Sequence, residues 1–161
     1  MCFSLQKISS SDFLFLKEVY RSTREEELTL MNWEEPQKEQ FIEFQFNAQH
    51  TYYLNQFPEI ELYLIKNKVA NMGRLYVQKK ADDIRIVDFT LLPKFQNGGI
   101  GSAILTRLTE ESDNEGKKLI LHVEKQNPAI HLYERFGFKR IREEEVHFYM
   151  ERQPGKQKAA T

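Results

Sequence analysis

The chain has 161 residues, of which 40% are hydrophobic and 29% charged, and its 23 basic and 24 acidic residues give a formal net charge of −1. This length and balance predict an ordinary globular chain with a sizeable core, and they provide no overall field that would favour nucleic acid or an anionic membrane. The single cysteine, Cys2, excludes an intramolecular disulfide framework and a cysteine-rich zinc site, and we predict no metal.

The sequence predicts neither an N-terminal signal peptide nor a membrane span. The N-terminal stretch MCFSLQKI lacks a basic region and a long apolar core, so we predict no signal peptide. The uncharged apolar runs are all shorter than the roughly 18 residues that a membrane span needs. We therefore expect a cytoplasmic protein without a membrane partner. We expect residues 1–151 to form a single domain and the basic residues 152–161 to form a flexible tail.

The first half of the chain predicts a strand, two helices and three further strands. Residues 3–8 predict the strand, and residues 9–26 predict a helix that opens on serine and aspartate capping residues. A second helix is predicted over residues 36–54, with Pro36 in its first turn and apolar residues every three or four positions. Three strand-like runs follow, the first two joined by a turn at 67–68: residues 59–66, 69–79 and 82–92.

The second half begins with a run of glycines, LLPKFQNGGIGSAIL, which leads from the last of these strands into a helix of about 15 residues that Gly116 ends. The remaining predicted elements are a strand, a short helix that Asn127 can cap, and two strands, over residues 117–124, 127–137, 138–144 and 146–153. This order favours an α/β fold with a mixed sheet.

The glycine loop is the strongest sign of a binding site. Backbone N–H groups between a strand and a helix can hold an anion, aided by the positive end of the helix dipole. A P-loop is excluded because no lysine follows Gly101 at a useful spacing. A dinucleotide fingerprint started at Gly99 is excluded because Ile104 stands where its third glycine would be. The alternative is that the glycines only turn the chain, although one glycine would suffice for that.

Two motifs in this order and spacing carry a family resemblance. Gln96, Gly99 and Gly101 match the pattern Q-x-x-G-x-G/A, and NPAIHLYERFGF, from Asn127 to Phe138, is similar to a second signature. Over about residues 82–140 the chain thus resembles the GNAT superfamily of N-acetyltransferases, and before that the resemblance is architectural only. It implies a mixed, mostly antiparallel central sheet flanked by helices, in which splayed strands hold acetyl-coenzyme A.

The same resemblance implies a set of cofactor-binding residues. Backbone amides of the loop would bind the pyrophosphate, the N–H near Leu91 would face the acetyl carbonyl, and Asn127 would bind the pantetheine arm as well as capping its helix. The expected cofactor-binding residues are Leu91, Gln96, Asn97, Gly98, Gly99, Ile100, Gly101, Ser102 and Asn127.

Two side chains are expected to move protons. Tyr133 stands where the family has its general acid, and a phenol with a pKa near 10 is protonated at neutral pH and can serve a thiolate whose pKa is near 8.5. The alternative is that Tyr133 is a core residue of an apolar helix face. His122 stands where members that acetylate ribosomal-protein N-termini have a glutamate base. A neutral histidine can take a proton at physiological pH, but a structural histidine within the sheet is an equal alternative.

The strand before the loop offers no base. Histone-acetylating members have a glutamate at or near the position of Arg85. Asp88 is the nearest carboxylate, but strand alternation directs it to the opposite face, so we interpret it as structural.

The predicted function is transfer of the acetyl group of acetyl-coenzyme A to a primary amine, which could belong to a small molecule, a peptide N-terminus or a lysine, by direct attack. The alternative is a non-catalytic acyl-coenzyme A-binding or regulatory module on the same fold. We expect no nucleic-acid partner. A homodimer through an exposed sheet edge stays open.

Overall fold

The computed structural model describes residues 2–155, whose contacts form two compact units. The N-terminal unit comprises residues 2–76 and 88–96, and the C-terminal unit comprises residues 77–87 and 97–155. The chain passes from one unit to the other within two of its strands and again between Gln96 and Asn97. Each unit is described separately below.

The strands belong to a seven-stranded sheet in the order β1-β2-β3-β4-β5-β7-β6. They are β1 (Ser4–Lys7), β2 (Glu61–Lys66), β3 (Asn71–Lys79), β4 (Asp83–Leu91), β5 (Lys118–Glu124), β6 (Lys139–Glu143) and β7 (His147–Arg152). The pairs β1–β2, β5–β7 and β6–β7 are antiparallel, whereas β4 and β5 are parallel. With its flanking helices this mixed, mostly antiparallel sheet confirms the predicted fold class.

The pairing of β4 with β5 covers only part of each strand. Asp83 to Ile86 pair with Lys118 to Leu121, yet β4 continues to Leu91 and β5 continues to Glu124. Within the C-terminal unit, the register of β4 with β5 thus covers four residues of each strand.

The N-terminal unit also contains α1 (Phe13–Ser22), α2 (Glu25–Leu30) and α3 (Glu35–Gln56). Its core is a cluster of buried apolar side chains from these helices and β2: Leu16, Tyr20, Leu28, Ile42, Phe46 and Leu64. The helix predicted over 36–54 is confirmed as α3, with Pro36 in its first turn and a capping box between Glu34 and Gln37.

The helix predicted over 9–26 is wrong at its end, because α1 stops at Ser22 and a separate helix, α2, begins at Glu25. The Ser22 hydroxyl donates to the Val19 carbonyl and the Thr23 hydroxyl donates to the Tyr20 carbonyl, at 2.6 Å each. Such bonds offer helix carbonyls an alternative to the next backbone N–H and so help to end a helix.

The C-terminal unit contains α4 (Ile100–Glu115) and α5 (Ala129–Arg135). The buried face of α4 includes Ile100, Ile104, Leu105 and Leu108, and Gly116 ends the helix in the left-handed conformation with φ 65°, as predicted. Among residues 2–155, none of the helices has the length and apolar content that a membrane span requires.

The predicted tail begins at residue 152, and the described residues reach 155. Arg152 is the last residue of β7, and the Gly155 N–H donates to Asp113 Oδ1 at 2.7 Å. Residues 156–161 lie outside the described part of the chain.

Candidate active site

The glycine loop of the C-terminal unit has the backbone of an anion site. Asn97 has φ 60° and Gly99 has φ 91°, both in the left-handed region, and α4 begins immediately afterwards. The Ala103 N–H donates to the Gly99 carbonyl at 3.0 Å. The N–H groups of residues 100–102 come before that bond, and helix geometry gives them no acceptor within the helix. They point out of the positive end of a 16-residue helix, which is a favourable position for a phosphate.

Gln96 and Leu91, which the sequence assigns to the same site, lie in the N-terminal unit. The Gln96 side-chain amide donates to the Leu91 carbonyl at 2.9 Å, and the Leu92 N–H donates to the Met72 carbonyl at 2.9 Å. Gln96, the first residue of the Q-x-x-G-x-G motif, therefore holds the end of β4 in place. This gives the glutamine a structural role in addition to the cofactor contact expected from the sequence.

A buried polar cluster lies next to this strand end in the N-terminal unit. We call it the Arg74 cluster; its members are Gln49, Tyr53, Arg74, Asp88 and Thr90. Arg74 is 2% exposed and donates from Nε and Nη2 to both carboxylate oxygens of Asp88, at 3.1 and 2.8 Å. Tyr53 and Thr90 donate to the same carboxylate at 2.8 Å each, and Gln49 accepts from Arg74 at 2.9 Å.

The carboxylate of Asp88 thus accepts four hydrogen bonds from side chains of the Arg74 cluster. This supports the interpretation of Asp88 as structural rather than basic. Burial and the neighbouring Asp88 carboxylate raise the pKa of Tyr53, so its phenol stays protonated and remains a donor.

Tyr76 lies against the same cluster. Its ring centroid is 5.1 Å from the Arg74 guanidinium, and its hydroxyl is the buried side-chain oxygen among the described residues that has no hydrogen-bond partner. Burial raises the pKa of Tyr76, so this hydroxyl is neutral.

The second motif folds as predicted, one residue late. α5 begins at Ala129, so Pro128 and not the predicted Asn127 occupies the cap position. Asn127 Oδ1 nevertheless accepts the Ala129 N–H at 2.9 Å and thus satisfies one donor at the start of the helix. Tyr133 is 5% exposed and its ring is 5.5 Å from that of Phe138, between centroids. Its ring therefore belongs to the packed face of α5, which is compatible with a core role and with a donor shielded from water.

His122, on β5, lies in a charged environment within the C-terminal unit. Its Nδ1 is 3.1 Å from Arg85 Nη1, and its Nε2 is 3.4 Å from Glu144 Oε2. The ring of Tyr149 is 5.0 Å away. Burial lowers the pKa of His122 below its ordinary value, and Arg85 lowers it further while Glu144 raises it. The side chain is 37% exposed and is therefore accessible to a second reactant.

Several exposed acidic residues that precede or belong to the first turns of α3 surround Arg21 of α1. Arg21 pairs with Glu25, Glu35 and Glu39. The hydrogen bond that Arg21 donates to Glu25 is the main cause of the raised pKa of Arg21. A groove of about 360 Å³ adjoins this network, lined by Glu18, Arg21, Ser22, Glu25, Leu92, Pro93 and Lys94.

The predicted site residues thus fall into two groups. The C-terminal unit holds the glycine loop, His122, Asn127 and Tyr133, and the N-terminal unit holds Leu91 and Gln96. Within residues 2–155, no group of three or more His, Cys, Asp or Glu side chains could hold a metal ion.

Arg74 and the contact of Arg85 with His122 were not among the predicted site features. Arg74 could have been found, because Arg74 and Asp88 are opposite charges within consecutive strand-like apolar runs. The contact of Arg85 with His122 has no such signal, because it depends on the register of parallel strands.

Several solved structures share this fold. PaiA N-acetyltransferase from Thermoplasma acidophilum, in complex with coenzyme A, is 20% identical, with 95% of this chain and 99% of that chain covered and a TM-score of 0.69. The ribosomal-protein-S18-alanine N-acetyltransferase of Escherichia coli is 16% identical, with 99% of both chains covered and a TM-score of 0.66. The Campylobacter jejuni N-acetyltransferase PseH, in complex with acetyl coenzyme A, is 14% identical, with 96% and 100% covered and a TM-score of 0.60.

A search of curated proteins gave no match. The family model described as "Acetyltransferase (GNAT) family" matches residues 16–138, which include the glycine loop and the second motif. Since this match covers most of the chain, the protein belongs to the GNAT acetyltransferase family.

Proposed function

We propose that the protein transfers the acetyl group of acetyl-coenzyme A to a primary amine by direct attack. The observation that carries the proposal is the glycine loop, where left-handed Asn97 and Gly99 lead into the unpaired first amides of α4. The similar structures of PaiA in complex with coenzyme A and of PseH in complex with acetyl coenzyme A support the choice of cofactor.

The cofactor would be held largely by backbone groups. In this proposal the amides of residues 97–102 bind the pyrophosphate, and Gln96 keeps the end of β4 in place through its bond to the Leu91 carbonyl. The Leu91 N–H polarises the thioester carbonyl, and Asn127 binds the pantetheine arm. Backbone donors fixed in advance stabilise developing negative charge without reorganising.

The reaction forms one bond and breaks one. The amine nitrogen attacks the thioester carbonyl carbon, the C–N bond forms and the C–S bond breaks, which gives an amide and the thiolate of coenzyme A. Tyr133 gives its hydroxyl proton to the thiolate, and His122 accepts the proton that the amine loses. Solvent then exchanges both protons and restores the two side chains.

The acceptor would be a small molecule, a peptide N-terminus or a lysine side chain. A thiol-release assay with acetyl-coenzyme A tests the proposal across polyamines, aminoglycosides, amino acids and short peptides. Amine-dependent thiol release, with the acetylated amine identified by mass spectrometry, is the expected result. Calorimetric binding of acetyl-coenzyme A without thiol release for any amine would favour the alternative, a non-catalytic acyl-coenzyme A-binding module.

Two expectations from the sequence stay proposals. One is a cytoplasmic location, and the other is a homodimer through an edge of the sheet, where β1 and β6 are the outer strands. Light scattering coupled to size-exclusion chromatography tests the dimer.

A further inference from the structure

Arg85 and His122 are joined by a contact that determines where the imidazole proton lies. Arg85 pairs in register with Ile120, two residues before His122, and its Nη1 lies 3.1 Å from His122 Nδ1. A guanidinium has donors only, so in this contact Nδ1 must be the acceptor. The imidazole is then neutral and carries its proton on Nε2.

The other nitrogen faces a carboxylate. Nε2 is 3.4 Å from Glu144 Oε2, an acceptor placed for the Nε2 proton. The charged or titratable groups that face the ring are Arg85 from β4, Arg142 from β6, Glu144 from the turn after β6, and Tyr149 from β7. Arg142 lies over the Tyr149 ring at 4.6 Å and donates to Glu144 at 3.3 Å, so it helps to hold both neighbours of His122.

We propose that Arg85 is a positioning residue that holds His122 as the neutral tautomer protonated on Nε2, and that its N–H occupies Nδ1 until the amine's proton takes its place there. This inference rests on the proposed function, because it takes His122 as the base. As the proton arrives at Nδ1, the Arg85 N–H turns to water, and the imidazolium keeps its Nε2–H toward Glu144. The positive charge of Arg85 then favours release of that proton to solvent, which restores the starting state.

The charges around His122 give opposite signs for two substitutions. Arg85→Met removes a cation and the Nδ1 donor, so the pKa of His122 rises. Glu144→Gln removes an anion, so the pKa of His122 falls. Arg85→Lys keeps the positive charge but lacks the planar pair of donors. The pKa of His122 in this variant should therefore lie between its values in the wild type and in Arg85→Met. It also serves as the second variant if Arg85→Met does not fold.

The test is nitrogen-15 NMR of the folded protein across pH, with His122→Gln to assign the signal among the four histidines. We expect the Nε2–H tautomer in the wild type, an upward pKa shift in Arg85→Met and a downward shift in Glu144→Gln. Arg140→Met, a surface arginine that pairs with Glu134, is the matched control and should leave the His122 titration unchanged. The acidic limb of kcat/KM should move in the same direction as each pKa.

An Nδ1–H tautomer in the wild type, or an unmoved titration in folded Arg85→Met and Arg85→Lys, would overturn the inference. A shifted titration with an unmoved acidic limb would also overturn it, because Arg85 would then have no effect on the reaction. Failure of the proposed function is recognised separately, as the absence of thiol release by the wild type, and the NMR measurement does not depend on turnover.

Discussion

Gly73 of β3 lies directly against the backbone of Thr90 in β4. A Cβ atom at residue 73 would be 2.1 Å from the Thr90 carbonyl oxygen and 2.9 Å from the Cα of Leu91. The two backbones therefore approach more closely than any side chain at residue 73 permits, and this occurs at the residues that we propose to face the acetyl carbonyl. A glycine inside a strand often marks such an approach.

The first prediction is that Gly73→Ala displaces the end of β4. Because the added methyl group meets backbone atoms rather than a flexible side chain, we expect a loss of about 1–3 kcal/mol in the free energy of unfolding, measured in urea. Acetyl transfer should fall in the fraction that remains folded. Gly116→Ala is the control, since its Cβ would meet nothing within 4 Å and its cost arises from φ alone. Equal acetyl transfer by the two variants would contradict a role for this approach.

The second prediction concerns the buried ion pair of Arg74 and Asp88. Asp88→Asn leaves the charge of a 2% exposed arginine without its counter-ion, and breaking a buried pair typically costs about 3–5 kcal/mol. Glu43→Gln breaks the pair with Lys17 on the surface, where about 0–1 kcal/mol is expected. Urea unfolding of both variants gives the comparison. Similar small losses would mean that water reaches the Arg74 cluster.

Local signals predicted most of the fold. The Gly116 stop and the Pro36 start each depend on backbone chemistry within a few residues, and the structure confirms both. The bond from the Ala129 N–H to Asn127 Oδ1 is equally local, although the helix begins one residue later than predicted. The break between α1 and α2 was not predicted because apolar spacing continues through it, whereas the hydroxyls of Ser22 and Thr23 help to end the helix.

The candidate site also contains features that local sequence predicts and features that it does not. The glycine loop could be found from its sequence because its proposed role depends on the backbone. The Arg74 cluster joins residues 49, 53, 74, 88 and 90, and the partner of His122 is 37 residues away along the chain. Such contacts depend on strand register and helix packing, which a single sequence does not determine.

The third prediction is that Gly101→Val abolishes acetyl-coenzyme A binding and leaves the protein folded. Residue 101 lies in the first turn of α4, where valine has no worse helix propensity than glycine, but its side chain obstructs the unpaired amides. Gly99→Val is a less clean test, because at φ 91° a β-branched residue is itself strained, at a cost of about 1–3 kcal/mol. Calorimetry and circular dichroism are the measurements.

Thr106→Val, at an exposed position one turn further along α4, is the control for the third prediction and should bind normally. Near-native affinity in folded Gly101→Val would remove the loop from the cofactor site.

The fourth prediction is that Tyr133→Phe lowers kcat by about 10²–10⁴-fold with little change in acetyl-coenzyme A affinity. The substitution keeps the ring against Phe138 and removes only the hydroxyl. Tyr63→Phe removes a hydroxyl from β2, where it donates to Glu61, and should retain full turnover. Full turnover by Tyr133→Phe would mean that another group protonates the thiolate and that Tyr133 is a core residue.

The last prediction concerns stability and pH at the end of β7. Asp113 of α4 accepts hydrogen bonds from Arg152 Nη1 at 2.9 Å and from the Gly155 N–H at 2.7 Å. The bond from Arg152, followed by that from Gly155, lowers the pKa of Asp113 in the folded protein. A lowered pKa means that the folded state favours the ionised carboxylate. The resulting stability is fully present above the unfolded pKa of about 3.9 and is lost as pH falls through the lower folded value.

The Tm difference between the wild type and Asp113→Asn should therefore be largest at neutral pH and should shrink below about pH 4. Arg152→Gln should lose only the larger share of this pH-dependent part, because the Gly155 N–H still donates to Asp113. It should destabilise more at every pH, because Arg152 Nε also donates to the Phe136 carbonyl at 2.8 Å, just after the helix that carries Tyr133. Thermal unfolding of the three proteins from pH 7 downward measures both parts. A Tm difference for Asp113→Asn that stays constant across pH would show that the carboxylate charge contributes nothing, and that only the packing of the side chain stabilises this end of the sheet.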